Sequence, residues 1–139
     1  MRRFRGAGQG GDDMADEPLR VLICDDEPGM RLILGKLVGK AEGFEVVGEA
    51  ENGEQALEMF EKTHPQVVFL DVEMPVMDGV ETARRIQDMD PHAALVFATA
   101  HEGYREEAFA VYAFDYLVKP FRNERVLATL ERIRRMLGG

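Results

Sequence analysis

The fold of this chain is decided by the stretch Leu19-Arg20-Val21-Leu22-Ile23-Cys24-Asp25-Asp26-Glu27-Pro28. A short apolar run that ends in turn-forming residues predicts a strand that is buried on both faces. Directly after it, apolar residues recur at helical spacing between Met30 and Val38, which predicts an amphipathic helix. Pro28 suits the first turn of that helix because a backbone N–H would have no partner there. A buried strand therefore leads through a cluster of acidic residues into a helix.

The same alternation of a short apolar run and a helical pattern continues along the chain. Strands that alternate with helices predict βα units, with right-handed crossovers between parallel strands. We therefore expect an α/β fold of the flavodoxin-like type, a doubly wound five-stranded parallel sheet of order 2-1-3-4-5 with five helices. The predicted strands are 19–24, 45–50, 66–70, 93–98 and 115–118, and the predicted helices are 30–38, one that opens at 52–53, 79–89, 104–112 and 123–137.

The length of 139 residues fits one compact domain, which we assign to residues 18–139. Residues 1–17 carry arginines, then glycines and then acids, with almost nothing apolar to bury, so we expect a disordered leader there. The single cysteine, Cys24, has no partner for an internal disulfide, and no apolar segment is long enough for a membrane span or an export signal. These features predict a cytoplasmic protein that does not enter a membrane.

The net charge of −9 argues against direct nucleic acid binding by this domain, because the phosphate backbone requires a concentrated basic surface. Arginines do gather in the last predicted helix, between Arg122 and Arg135. Two interpretations are open for them, a nucleic-acid site and a solvated helix face. Cations near the C-terminus of a helix complement its dipole, which favours the solvated face.

Three carboxylates, one hydroxyl and one lysine lie at the ends of four predicted strands. They are Asp25 and Asp26 after the first strand, Asp71 after the third, Thr99 after the fourth and Lys119 after the fifth. The carboxyl ends of parallel strands share one edge of a sheet, and ligands of such folds bind there. Carboxylates that meet repel one another unless a cation compensates them. Hard oxygen ligands of this kind suit Mg²⁺, so we expect a magnesium site with room for a phosphate.

These residues carry a resemblance to the receiver domains of response regulators in two-component systems, over almost the whole of residues 19–137. Five separated positions agree in residue type and in place in the predicted fold, which makes the match specific. They are the acidic pair Asp25-Asp26, Asp71 within Leu-Asp-Val-Glu-Met-Pro-Val-Met-Asp-Gly, Thr99, and Lys119-Pro120.

The resemblance implies that Asp71 is the phosphoryl acceptor, which takes the group from a phosphohistidine of a sensor histidine kinase. It also implies that Asp26 binds Mg²⁺ directly and Asp25 mainly through water, with Asp71 and the backbone carbonyl of Glu73 as further ligands. Lys119 would neutralise the transferred group, as a loose transition state requires. On this reading the domain is a signalling switch that assists its own phosphorylation and dephosphorylation, and it is not an enzyme in the usual sense.

Further residues match the switch of the family. Thr99 would bond a phosphoryl oxygen, and Tyr116 matches an aromatic residue that turns inward with it, although a tyrosine that only covers the sheet edge is an alternative. The Lys119-Pro120 bond is expected to be cis, as it usually is in the family. Glu73 and His101 match positions that control the access of hydrolytic water.

The finer pattern resembles LytTR-type receivers, on the segment Thr99-Ala100-His101-Glu102-Gly103-Tyr104 and the segment from Phe114 to Phe121. Those receivers normally continue into a DNA-binding domain. A stand-alone receiver and one cut from a longer chain both fit the sequence. The signal, the cognate kinase and the output are not encoded in any motif found here.

Phosphorylation-dependent homodimerisation through the fourth helix, the fifth strand and the fifth helix is also expected. Tyr104, Ala108, Val111 and Tyr112 are predicted to form one inward stripe, and Phe109 and Phe114 then supply more apolar surface than one buried face needs. The alternative is that both phenylalanines are core residues and that the domain stays monomeric.

Two other functions remain as alternatives. One is a receiver-like scaffold that binds proteins without being phosphorylated, and the other is an aspartyl-phosphate hydrolase. The scaffold typically lacks the acceptor or the lysine, whereas Asp71 and Lys119 are both present here. The hydrolase typically carries an aspartate two positions after its nucleophile, where this chain has Glu73.

Overall fold

The structure, a computed structural model, describes residues 17–138. The predicted leader therefore lies outside the described residues, except for its last residue. Five parallel strands form one sheet in the order β2-β1-β3-β4-β5, which confirms the predicted topology. The strands are β1 (Leu19–Cys24), β2 (Phe44–Ala50), β3 (Val67–Leu70), β4 (Ala94–Thr99) and β5 (Asp115–Val118). The helices are α1 (Pro28–Lys40), α2 (Gly53–Thr63), α3 (Gly79–Met89), α4 (Arg105–Ala110) and α5 (Asn123–Leu137).

The sheet is covered on both faces, as its central strand shows most clearly. All four residues of β3 are buried, because its side chains alternate between two apolar layers. One layer joins Val68 and Leu70 to α2, α3 and α4, and the other joins Val67 and Phe69 to α1 and α5. The apolar strands thus have no solvated face, which leaves the strand ends as the place for polar side chains.

The fourth helix is shorter than predicted. A 3-10 turn at Glu102–Tyr104 precedes α4, and the helix ends at Ala110 because Tyr112 adopts a left-handed conformation with φ 56°. The N–H of Ala113 then donates to the carbonyl of Ala108 at 3.0 Å, which closes the helix end and turns the chain toward β5.

The prediction of an inward stripe on this helix is right for two of its four residues and wrong for the other two. Ala108 and Val111 are buried, but Tyr104 and Tyr112 are 40% and 81% exposed. The short helix and the left-handed residue rotate both tyrosines out of the interior. Phe109 is also 81% exposed, so it is not a core residue. Phe114 packs against the layer of α1 and α5.

Within residues 17–138, none of the helices combines the length and the apolar character that a membrane span requires. The loops after β1, β3, β4 and β5 meet at the C-terminal edge of the sheet and bring several charged side chains together there.

Candidate functional site

The C-terminal edge of the sheet holds a pocket of about 410 Å³. It lies where the sequence predicts the site, because the register of the strands brings their ends side by side. Cys24 of β1 pairs with Leu70 of β3, so the acids that follow them are neighbours. The pocket is lined by Asp26, Glu27, Asp71, Glu73, Met74, Pro75, Ala100, His101 and Lys119.

Lys119 joins the acids of two strands. Its Nζ atom lies 2.8 Å from Oδ2 of Asp25 and 2.8 Å from Oδ2 of Asp71, and Glu27 is a more distant partner at 3.4 Å. The Lys119-Pro120 bond is cis, as expected. Burial alone would lower the pKa of Lys119, but the hydrogen bonds with Asp25 and Asp71 outweigh it and raise this pKa above its ordinary value. The lysine therefore stays charged and compensates two carboxylates at once.

The acids meet the requirements of a hard cation. Asp25, Asp26 and Asp71 offer oxygen atoms that all lie within 4.8 Å of one another. Asp25 and Asp71 are buried, whereas Asp26 is exposed. For Asp25, burial is the dominant influence and raises its pKa, so a nearby cation would favour the ionised form. Oxygen donors that are partly open to water suit Mg²⁺, which keeps several of its own water ligands.

The backbone around Asp71 is fixed by the start of α3. The N–H of Gly79 donates to the carbonyl of Val72 at 2.7 Å, and a Cβ atom on Gly79 would lie 2.0 Å from the carbonyl oxygen of Asp71. Only glycine permits this approach. Asp78 caps the helix by accepting from the N–H of Glu81 at 2.9 Å.

The side chain of Asp71 is held from both sides. Its Oδ1 atom accepts from the backbone N–H of Glu73 at 3.1 Å, while Oδ2 faces Lys119. The equivalent contact in the first loop runs from the N–H of Glu27 to Oδ1 of Asp25 at 3.0 Å. Both carboxylates are thus oriented before any ligand arrives.

Thr99 and Tyr116 are connected through His101. Thr99 is fully buried and its Oγ1 accepts from the N–H of His101 at 3.3 Å. The hydroxyl of Tyr116 donates to the carbonyl of His101, and its ring lies 6.0 Å from that of Phe97. With only 8% of its surface exposed, Tyr116 points inward toward the loop after β4. Its hydroxyl therefore bonds the loop after β4.

Two residues of this site carry roles that the sequence analysis did not assign. Arg31 donates from its guanidinium to the backbone carbonyl of Asp25 at 2.7 Å and pairs with Glu49 at 3.1 Å, which anchors the loop after β1. Glu27 contacts Lys119. The acidic run after β1 pointed to Glu27, but a single arginine in a helix gives no comparable signal for Arg31.

A model of the response regulator receiver domain matches residues 21–131, and these residues contain the whole pocket. The chain belongs to the response regulator receiver domain family. Members of this family are receiver domains of two-component response regulators and act as signalling domains. Such domains generally bind Mg²⁺ at an acidic cluster like that of Asp25, Asp26 and Asp71.

Relatives and solved structures agree with this assignment. The chain is 40% identical over 117 residues to the sensory transduction protein LytT of Bacillus anthracis, across 84% of this chain and 48% of that protein. It is 38% identical over 116 residues to the chemotaxis protein CheY of Thermotoga maritima, across 82% of this chain and 96% of that protein. The CheX-CheY-BeF3-Mg²⁺ complex from Borrelia burgdorferi contains a chain with a TM-score of 0.78 and 27% identity, covering 84% of this chain and 90% of that one.

The likeness to LytT confirms the predicted resemblance to LytTR-type receivers. This chain spans about half the length of several curated relatives that it matches. The receiver family is therefore established.

Proposed function

We propose that Asp71 accepts a phosphoryl group from the phosphohistidine of a sensor histidine kinase, in a reaction that depends on Mg²⁺ held by Asp25, Asp26, Asp71 and the backbone carbonyl of Glu73. The proposal is supported above all by one observation. Three carboxylates and the ammonium of Lys119 meet in a pocket open to solvent, and Asp71 alone among the acids is held by both Lys119 and the β3–α3 loop.

The transfer forms a bond between a carboxylate oxygen of Asp71 and phosphorus, and it breaks the bond between phosphorus and the kinase imidazole. The imidazole nitrogen leaves with the electron pair of that bond and takes a proton from solvent. Lys119 already bonds Asp71, so its ammonium is positioned to neutralise an oxygen of the incoming group. A bound Mg²⁺ supplies further neutralisation of the phosphoryl oxygens. Thr99, fully buried beside the pocket, supplies a hydroxyl to one of those oxygens once transfer has occurred.

The site also supports slow loss of the phosphoryl group by hydrolysis, with Glu73 and His101 at the access route of water. Both residues line the pocket that contains Asp71. Neither bonds the carboxylate of Asp71 through its side chain among the contacts found in residues 17–138. We therefore assign them to the lifetime of the phosphorylated state and not to acceptance.

Labelling with acetyl phosphate and Mg²⁺, followed by intact mass measurement, tests the acceptor. One phosphoryl group is expected on the parent, none on Asp71→Asn, and one on the control Asp88→Asn, which changes an exposed aspartate of α3. Labelling of Asp71→Asn at the parental rate would refute the assignment. Absence of any label would support the scaffold, and sustained turnover of small phosphomonoesters would support the hydrolase.

The metal is tested separately from the transfer. Asp26→Ala should greatly weaken Mg²⁺ binding, because no lysine within residues 17–138 pairs with this carboxylate and it is the one exposed member of the three clustered aspartates. A calorimetric titration measures the affinity. Equal affinities of Asp26→Ala and the parent would remove Asp26 from the ligand set.

The kinase is expected to dock beside the pocket, on α1. This helix begins next to the acidic loop and leaves Leu32 and Ile33 59% and 45% exposed. A change of Leu32 to glutamate should slow transfer from a kinase that phosphorylates the chain, yet leave labelling by acetyl phosphate unchanged. If both donors are slowed equally, α1 is not the docking surface.

Phosphorylation is further proposed to promote a homodimer through α4, β5 and α5. Phe109 and Tyr112 form an exposed apolar patch there, and patches of this kind commonly mark partner surfaces. Sedimentation velocity at about 100 μM detects interfaces of roughly −5.5 kcal/mol, and beryllofluoride serves as the phosphoryl mimic. Phe109→Ser should abolish the dimer, whereas the control Leu32→Ser should not. An unchanged monomer in the parent would contradict this part of the proposal.

A further inference from the structure

Arg105, the first residue of α4, lies over the ring of Tyr116. The guanidinium carbon is 4.7 Å from the centre of the ring, within the range of a cation–π interaction. Arg105 is exposed, and none of the ion pairs found within residues 17–138 includes it. The tyrosine ring is therefore the partner that determines where this guanidinium rests.

The ring of Tyr116 is held on each of its sides. Phe97 packs against it from the interior at 6.0 Å, and Arg105 covers it from the solvent side. The hydroxyl donates to the carbonyl of His101. An outward rotation of Tyr116 would have to break the hydrogen bond and displace the guanidinium together.

We propose that Arg105 is a positioning residue that holds Tyr116 in its inward orientation and thereby prepares the loop after β4 for a phosphorylated Asp71. The inference rests on the proposed function of Asp71. Arg105 lies on the outer face of the domain. It would act on Tyr116 and the loop after β4 without contacting Asp71, Mg²⁺ or the phosphoryl group.

The connection to the acceptor is continuous. Tyr116 holds the carbonyl of His101, and the N–H of His101 donates to Thr99 at 3.3 Å. Coupling between two sites is reciprocal, so Tyr116 and Thr99, the two ends of this series of hydrogen bonds, affect each other by the same free energy. If Arg105 favours the inward tyrosine, it must also favour the ligand that requires the inward tyrosine.

The first measurement uses the protein without metal or phosphoryl mimic. Tyrosines are replaced by 3-fluorotyrosine, and the fluorine resonance of Tyr116 is assigned from the Tyr116→Phe variant. Arg105→Ala should move this resonance toward that of a solvent-exposed tyrosine, and Arg105→Lys should retain part of the parental position. The matched control is Arg122→Ala, which removes a positive charge from the same surface pocket. It has no ring contact with Tyr116 among the described residues and should leave the resonance unchanged.

The second measurement is the affinity for beryllofluoride in the presence of Mg²⁺. Loss of one exposed cation–π contact should weaken it about two- to fivefold in Arg105→Ala. The affinity for Mg²⁺ alone should not change. In a Tyr116→Leu background, which lacks the ring, Arg105→Ala should have no further effect.

The proposal is overturned if Arg105→Ala matches the parent in either measurement, since the contact must both hold Tyr116 and reach the acceptor. It is also overturned if Arg122→Ala causes the same loss, because the effect would then be one of general charge. Failure of the parent to bind beryllofluoride would instead refute the proposed function of Asp71. The fluorine resonance would still report separately whether Arg105 holds Tyr116.

Discussion

The Nε2 atom of His101 lies 3.0 Å from the Oε1 atom of Glu73, and this contact joins the loop after β4 to the loop after β3. Both side chains are partly open to solvent, at 41% and 75% exposure. They line the pocket that contains Asp71, so together they cover part of its opening. The two residues that the sequence assigned separately to water access thus form one unit.

Glu73→Ala and His101→Ala should therefore each shorten the half-life of phosphorylated protein by about two- to fivefold, the range expected for loss of one exposed polar contact that restricts water. The double variant should be no faster than the quicker single variant, because both changes break the same contact. Initial labelling should be nearly unchanged. Decay is followed by intact mass after removal of acetyl phosphate, with the exposed His92→Ala as control. If both single variants have the half-life of the parent, the contact between Glu73 and His101 does not restrict the access of water.

Lys119→Met should lower the free energy of unfolding by about 3 kcal/mol in the absence of divalent ions, because it leaves buried carboxylates without their cation. Asp25 is 1% and Asp71 7% exposed, so water from the pocket replaces the ammonium only in part. Mg²⁺ should stabilise this variant more than it stabilises the parent. Urea unfolding with and without Mg²⁺ measures both effects. Lys36→Met, on the exposed side of α1, is the control. An equal loss in the two variants would contradict the role of Lys119.

Asp115 is predicted to make the free energy of unfolding of the domain depend on pH. Burial disfavours its charge, but hydrogen bonds from Arg125 and Thr129 outweigh burial and hold the pKa of Asp115 well below its ordinary range. A lowered pKa in the folded state stabilises the protein above the unfolded pKa of about 4, and this contribution is lost as the pH falls toward the folded value. Asp115→Asn should therefore cost about 2 kcal/mol near neutral pH.

The difference between Asp115→Asn and the parent should shrink at about pH 3, where unfolded aspartates are mostly protonated. Urea titrations at the two pH values give the comparison. The control Asp88→Asn removes an exposed carboxylate and should show little difference at either pH. A loss for Asp115→Asn that stays constant with pH would mean that its ionisation is not the cause.

Val76 is predicted to be a strained residue. It has φ 73° at the centre of a tight turn in which the N–H of Met77 donates to the carbonyl of Pro75 at 2.8 Å. A left-handed conformation is unfavourable for a β-branched residue, and with 75% exposure the side chain gains little from packing. Val76→Gly should raise the free energy of unfolding by about 1 kcal/mol. Val76→Ala, which keeps Cβ and most of the strain, should gain less. Equal unfolding midpoints for all three proteins would contradict this prediction.

The sheet could be predicted closely from the sequence because its strands are buried on both faces. β1 and β5 have the predicted bounds, and β4 is shifted by one residue at each end, since it begins at Ala94 and ends at Thr99. Asp71 and Lys119 follow from the same logic, since each directly follows a buried strand. The unbroken apolar runs leave little choice of where a strand ends and a charged loop begins.

The contacts between loops could not be predicted in the same way. The pairing of Glu73 with His101 and the position of Arg105 over Tyr116 depend on side-chain orientations across separate loops. The end of α4 depends on one left-handed residue, Tyr112, and tyrosine is not a residue type that signals this conformation. Local patterns therefore located the charged side chains of the pocket but not the contacts between its loops.

The late position of Lys119 in the sequence determines when the charge cluster is completed during synthesis. It is separated from Asp25 by 94 positions and from Asp71 by 48, so the cation of this cluster emerges from the ribosome long after the acids that it compensates. A nascent chain that ends at β4 carries Asp25 and Asp71 without their ammonium, and it also lacks the strand that completes the sheet edge. Under the proposed function, a growing polypeptide therefore lacks the ammonium of its acceptor site until its last strand has been made.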